Sequence, residues 1–336
     1  MSATLPEGPL LADLVLEGGG VKGVALVGAI SGLVDAGYAF GRIAGTSAGA
    51  IVGSVVAAMS TYGEPLTRLP EVLSTLDLGA LADRGRPGLL LGPIAGIPFG
   101  RTAADALNVM IESAAFRGDR LEIWLDGILR DFGVRTFGDL LLDDPEACPG
   151  DGAEFRLIVM ASDLTRKRLT RLPWDYSIYN LHPEEQSVAR AVRASSASPF
   201  VFRPVELPGP RGTATLVDGG LLSNYPVDVF DRHDDRPSRW PTIGIRLDAR
   251  VAGSEAEHLR PIDGTVALGL AVIETAIEGN QAEHLLSLRN QARSIRVPAD
   301  GVGSYEFSLT EAQQRALFEN GYNAARAFVE AGHTLN

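Results

Sequence analysis

Cysteine is all but missing from this chain: a single Cys148 in 336 residues excludes an intramolecular disulfide framework and any multi-cysteine zinc site. It stands in a Pro-, Gly- and Asp-rich stretch that reads as a solvated loop. Lysine is nearly as scarce. Lys22 and Lys167 are the only lysines among 30 basic residues, against 42 carboxylates, for a net charge of −12. Phosphate contacts need clustered cations, so a chain this acidic is a poor candidate for binding nucleic acid. Neither an H-E-x-x-H pair nor an EF-hand loop is present, and no metal or other cofactor is expected. The stretch MSATLPEGPLLADLVL has no basic region and no clean apolar core of a signal peptide. The expected location is therefore cytoplasmic, peripheral at a membrane where a substrate requires it. One run, residues 43–63, carries no charge and is long enough to span a bilayer. It is rich in Gly, Ser and Thr, and a buried helix in a soluble core explains it better.

What is present is an alternation. Residues 12–16 (ADLVL) form a short apolar run that stops at Gly18, Gly19 and Gly20, and a helical pattern follows from about Val21 to Ala36. A second short strand near residues 42–44 runs into Gly45-Thr46-Ser47-Ala48-Gly49 and another helix through about Met59. Strand, glycine turn and helix, twice within ~50 residues, is the pattern of a parallel α/β sheet. Further strands are expected at 155–163, 213–220, 241–248 and 292–298. A long amphipathic helix is expected from about Asp263 to Asn290. A final helix runs to about Ala331 from the capping pattern Ser308-Leu309-Thr310-Glu311. Residues 64–145 read mainly as helices and loops, and the polar run 249–261 as a mobile loop. No repeat or linker divides the chain, so a single domain over 1–336, with its core at about 11–331, is the expectation.

Gly18-Gly19-Gly20-Val21-Lys22-Gly23 satisfies G-x-G-x-x-G after a strand, but a dinucleotide site wants an acidic residue at the end of the second strand. That strand ends in Gly45-Thr46-Ser47, with no acid. Successive backbone N–H groups at a helix N-terminus suit a different task, holding an oxyanion. A glycine turn kept only for tight packing is the plainer alternative. Gly45-Thr46-Ser47-Ala48-Gly49 matches G-x-S-x-G, in which small flanking residues permit the sharp strand-to-helix turn that exposes a nucleophilic hydroxyl. A helix N-cap is the plainer use of Ser47. Serine needs a base. His182, His233, His258, His284 and His333 all stand in polar contexts that read as surface. Asp218, in the Val217-Asp218-Gly219-Gly220 stretch at the C-terminal end of a strand, is better placed, since such ends collect functional groups in parallel sheets. Taken alone, it reads as an ordinary Asp-Gly turn.

Together these blocks resemble the patatin-like phospholipase family. The resemblance rests on GGGVKG at 18–23, GTSAG at 45–49 and DGG at 218–220 continuing into LLSNYP. It extends to RTFGDL at 135–140, AVRASSASPFVFRPV at 191–205 and the ending EFSLTEAQQRALFENGYNAARAF at 306–328. It implies a three-layer α/β/α sandwich around a mostly parallel central sheet, and a Ser-Asp dyad in place of a triad. By that resemblance Ser47 is the nucleophile and Asp218 the base. Gly19 and Gly20, and less firmly Gly18, supply the oxyanion hole. Lys22 contacts a substrate phosphate or steadies the glycine loop.

The implied activity is a metal-independent lipid acyl hydrolase of phospholipase A or lysophospholipase type, whose partner is a lipid or phospholipid. Two alternatives stay open: a Ser-His-Asp esterase of small soluble esters, and a latent effector phospholipase that needs an activator. The apolar stretch LLLGPIAGIPF at 89–99 is core packing or, alternatively, a lid making transient contact with a membrane surface. The basic run Arg166, Lys167, Arg168 and Arg171 could offset the net charge at such a surface.

Overall fold

The computed structural model describes residues 9–77, 79, 114, 116–142, 155–232, 238–248, 262, 265–285 and 287–332. In chain order the first elements are β1 (Leu10–Leu16), α1 (Gly23–Asp35), β2 (Tyr38–Thr46), α2 (Ala48–Tyr62), α3 (Leu69–Ser74) and α4 (Asp119–Asp131). Then come β3 (Leu157–Asp163), β4 (Arg168–Leu172), α5 (Val188–Ser195), β5 (Val205–Leu207) and β6 (Ala214–Asp218). The chain closes with β7 (Thr242–Asp248), α6 (Thr265–Leu285), α7 (Leu288–Ala292), β8 (Ser294–Pro298) and α8 (Glu311–Glu330).

The strands form one sheet in the order β5-β6-β3-β2-β1-β7-β8, with β4 paired to β3 off that path. The β3-β2-β1-β7-β8 portion is parallel throughout, while β4 and β6 run antiparallel to β3. This is the expected fold class, a central and mostly parallel sheet layered with helices. Strands β1 and β3 are apolar along nearly their whole length because parallel strands are covered on both faces. One charged pair breaks that rule: Arg42 of β2 meets Asp13 of β1 in a fully buried ion pair, with the guanidinium over the Phe230 ring. A buried pair of this kind fixes which strands are neighbours more than it stabilises them.

Several details differ from the sequence reading. The uncharged run 43–63 divides into the end of β2 and helix α2, both buried. Helix α6 is not amphipathic in the expected sense, since Leu268 and Val272 are exposed while Ile273 is buried. The capping box of α8 forms at Thr310 with Gln313, two residues later than Ser308 with Glu311. The basic run is tied up locally: Arg166 pairs with Asp163, and both Arg168 and Arg171 pair with Asp175. Residues 89–99, the run 249–261, Cys148, His233, His258 and His333 lie outside the described residues.

Candidate active site

Strand pairing brings the two ends of the site together. Strand β3 pairs with β4 along residues 159–163, with β2 along 157–160 and with β6 along 161–163. A strand has two edges, so β2 and β6 follow one another along the edge opposite β4. Strand β2 ends with Thr46 opposite Met160, and the oppositely directed β6 ends with Asp218 opposite Ala161. The C-terminal ends of two strands thus meet over consecutive residues of a third, and Ser47 and Asp218 face each other there.

Ser47 joins β2 to α2 with φ 51 and ψ −119. Positive φ at a non-glycine residue costs about 1–3 kcal/mol and persists only where the surroundings impose it. Here they do. A Cβ on Gly49 would lie 2.3 Å from the Leu16 carbonyl oxygen, so only glycine lets α2 begin this close to β1. The Ser47 N–H donates to Ser195 Oγ at 2.9 Å, and Thr46 Oγ1 donates to the Ser223 carbonyl at 2.9 Å.

Asp218 is buried at the N-terminus of a short helical turn. One carboxylate oxygen accepts the Gly220 N–H at 2.8 Å, and the nearby Ser47 hydroxyl also favours the charged form. Its own N–H donates to the Ala197 carbonyl at 3.0 Å. Burial raises the carboxyl pKa to about 6, outweighing the two hydrogen bonds that favour the charged form.

The glycine loop crosses above this pair. Its first amide is already committed: the Gly18 N–H donates to the Asn224 carbonyl at 3.1 Å, while Asn224 Nδ2 donates back to the Gly18 carbonyl at 3.1 Å. Gly20 has φ +58, and a Cβ there would lie 1.9 Å from the Ser304 carbonyl oxygen. That same carbonyl accepts the Val21 N–H at 3.0 Å, and the Gly19 carbonyl accepts the Lys22 N–H at 3.3 Å. Among the described residues no backbone carbonyl takes the Gly19 or Gly20 N–H. Below lies a cavity of about 490 Å³. Its lining includes Gly20, Ser47, Asp218 and Tyr305 together with the apolar Val24, Val27, Ile51, Leu73, Phe202 and Phe307. The size suits a small organic ligand or acyl chain.

The family model for the patatin-like phospholipases matches residues 14–231, which include the strand ends, the glycine loop, Ser47 and Asp218. The chain belongs to this family. Among its relatives is the uncharacterized protein YqhO of Bacillus subtilis (strain 168), 35% identical over 318 residues, covering 95% of this chain and 98% of that protein. An uncharacterized NTE family protein of Mycobacterium tuberculosis, MT2641, is 26% identical over 95% of this chain but only 46% of its own length. Of the solved structures, VipD from Legionella pneumophila matches with a TM-score of 0.55 at 17% identity, over 98% of this chain and 68% of that one. That likeness is one of fold.

Within this patatin-like phospholipase, the structure gathers Gly20, Ser47 and Asp218 on one cavity wall, with Gly19 beside them in the loop. The Gly18 N–H donates to the Asn224 carbonyl, and Lys22 is buried and not among the residues that line the cavity. No histidine lines the cavity among the described residues, and His182 is exposed. Sequence reasoning missed Ser195, Ser196, Asn224 and Tyr305. The serines and Asn224 lie in blocks that carry the family resemblance, but their roles depend on which strand end each one touches.

Proposed function

We propose that this patatin-like phospholipase is a lipid acyl hydrolase of phospholipase A or lysophospholipase type, acting through Ser47 and Asp218. The observation that carries the reading is the positive-φ Ser47 at the end of β2 and the buried Asp218 at the end of β6, brought together by strand pairing in the lining of one cavity.

A fatty-acyl ester places its chain along the apolar walls and its carbonyl carbon at Ser47. Asp218 takes the Ser47 proton as the oxygen attacks. The charge that develops on the carbonyl oxygen is held by the Gly19 and Gly20 N–H groups and by the N-terminus of α2. The ester C–O bond then breaks, and the proton on Asp218 passes to the departing alkoxide oxygen. Water next enters at the vacated position and attacks the acyl carbon, giving a proton to Asp218; the bond to Ser47 Oγ then breaks, Asp218 returns that proton to Ser47 Oγ, and the fatty acid leaves. A carboxylate with a pKa near 6 is a far better base than one at the usual value of about 3.9, and it remains ionised at neutral pH.

The test is release of fatty acids from a lipid panel, identified by mass spectrometry. Wild-type protein should release them. Ser47→Ala and Asp218→Asn should each abolish release with unchanged circular dichroism, and the double variant should lose little more, because the two act as a unit. Wild-type turnover in folded Asp218→Asn would remove Asp218 from the reaction.

A further inference from the structure

Residues 223 and 224 reach all three parts of the proposed site. The Ser223 carbonyl accepts a hydrogen bond from Thr46 Oγ1 at 2.9 Å, next in sequence to Ser47. The Asn224 carbonyl accepts the Gly18 N–H at 3.1 Å, and Asn224 Nδ2 donates to the Gly18 carbonyl at 3.1 Å. The Asn224 side chain is buried between the glycine loop and the turn that follows Asp218. A Cβ on Gly18 would lie 2.3 Å from Asn224 Oδ1, and one on Gly220 would lie 2.8 Å from the same atom. A Cβ on Gly18 would also lie 3.2 Å from Ser47 Cβ, so this stretch of the loop passes directly beside the serine. The amide is oriented from behind. Nδ2 lies 3.4 Å from Oε1 of the buried Glu17, whose other carboxylate oxygen accepts the Leu247 N–H. The Gly18 carbonyl and the Glu17 carboxylate are both acceptors, so the nitrogen of the amide, and not its oxygen, faces them.

One of these bonds sets the direction of an oxyanion donor. The Gly18 carbonyl and the Gly19 N–H belong to a single planar trans peptide, in which C=O and N–H point in opposite directions. Holding that carbonyl on Asn224 Nδ2 therefore turns the Gly19 N–H away from Asn224. Glycine stands on both sides of this peptide, and glycine sterics alone permit it to rotate end for end, presenting a carbonyl where the N–H should be. We infer that Asn224 is a positioning residue: it holds the Gly18–Gly19 peptide in the orientation that offers the Gly19 N–H to the carbonyl oxygen of the substrate. This role rests on the oxyanion function proposed for the loop, and it adds what keeps the loop competent. Asn224 is not among the residues that line the cavity, so it acts through the loop and not on the substrate. A rotated peptide would set a carbonyl dipole against the developing negative charge. The penalty falls on the transition state far more than on the bound ester.

That asymmetry supplies the test. Asn224→Ala removes the donor, and Asn224→Leu removes it while keeping the side-chain volume, so that loss of packing and loss of the hydrogen bond are separated. In both, kcat on a long-chain p-nitrophenyl ester should fall ~10²-fold or more while KM stays within about threefold, with unchanged circular dichroism. A long-chain alkyl trifluoromethyl ketone, whose adduct with Ser47 carries an oxyanion, should lose affinity by a comparable factor. The fatty alcohol of the same chain length fills the cavity without an oxyanion, and its affinity should change less than about threefold. A residue that only supports the fold would weaken both ligands alike. Equal losses on ketone and alcohol, or a kcat within about threefold of wild type in Asn224→Leu, would overturn the inference. A wild-type protein that neither cleaves the ester nor binds the ketone more tightly than the alcohol would strike the proposed reaction itself, and the Asn224 role would fall with it.

Discussion

At the scale of single residues, the controlling property is the environment of one carboxylate. Burial drives the Asp218 pKa to about 6, against hydrogen bonds from Gly220 and Ser47 that oppose the rise. Two consequences follow from that sign. In the proposed reaction the base is the ionised form, so kcat/KM should rise as pH passes upward through about 6 and level off above it. An inflection near 4 in the free enzyme would show that the carboxyl is not desolvated. Stability moves the other way. Asp218 binds its proton more tightly folded than unfolded, so it favours the fold below about pH 4, and that contribution is lost as pH rises from about 4 to 6. Asp218→Asn keeps an oxygen that can accept the Gly220 N–H but carries no charge. At pH 8 it should be more stable than wild type, by up to about 3 kcal/mol for a two-unit shift; a lower melting temperature at pH 8 would contradict this. Ser47 and Asp218 were legible in the sequence because each lies in a local motif. Ser195 was not, because nothing in its own segment says that its Oγ accepts the Ser47 N–H at the end of β2.

At the scale of elements, the site is made by strand order. The proposed nucleophile Ser47 at the end of β2 and the proposed base Asp218 at the end of β6 lie 171 residues apart (218 − 47), and they meet because β2 and β6 abut along one edge of β3. Strands β1, β2, β3, β6, β7 and β8 could be read as apolar runs ending at glycines, charged residues or turns. Strands β4 and β5 could not. Arg168 to Leu172 alternates arginine with apolar residues, and β5 has three residues only, so both draw their structure from the neighbour they pair with. Helix α5 is eight residues long with two arginines, too short for periodicity to register. The turn from β1 into α1 supplies the element-scale prediction. Gly20 has positive φ and no room for a Cβ beneath the Ser304 carbonyl. Gly20→Ala should therefore displace the loop amides and lower kcat by ~10²–10³, with a smaller change in KM. If KM rose while kcat held, the loop would be a binding feature and not an oxyanion hole.

At the scale of the whole molecule, the cavity joins segments distant in sequence. Its wall takes Gly20 to Val27 from α1 and the loop before it, Ser47 to Val52 from α2, Ser196 to Phe202, and Ser304 to Leu309 from the approach to α8. The last of these lies beyond the residues that the family model matches, yet it holds the glycine loop through Ser304 and packs Phe307 edge-on against Phe116 and Phe202. Its part in the site could not be read from the motif blocks, because it comes from packing and not from local pattern. Among the described residues no helix is long and apolar enough to cross a membrane. In the proposed reaction a lipid substrate reaches Ser47 by entering the cavity that this residue lines. The most direct test of that claim is covalent trapping. Wild-type protein treated with a long-chain alkyl fluorophosphonate and analysed by peptide mass spectrometry should carry a single adduct, on Ser47. Ser47→Ala should carry none, and Asp218→Asn should label at least ~10²-fold more slowly. An adduct at another residue, or wild-type labelling of Asp218→Asn, would contradict the account.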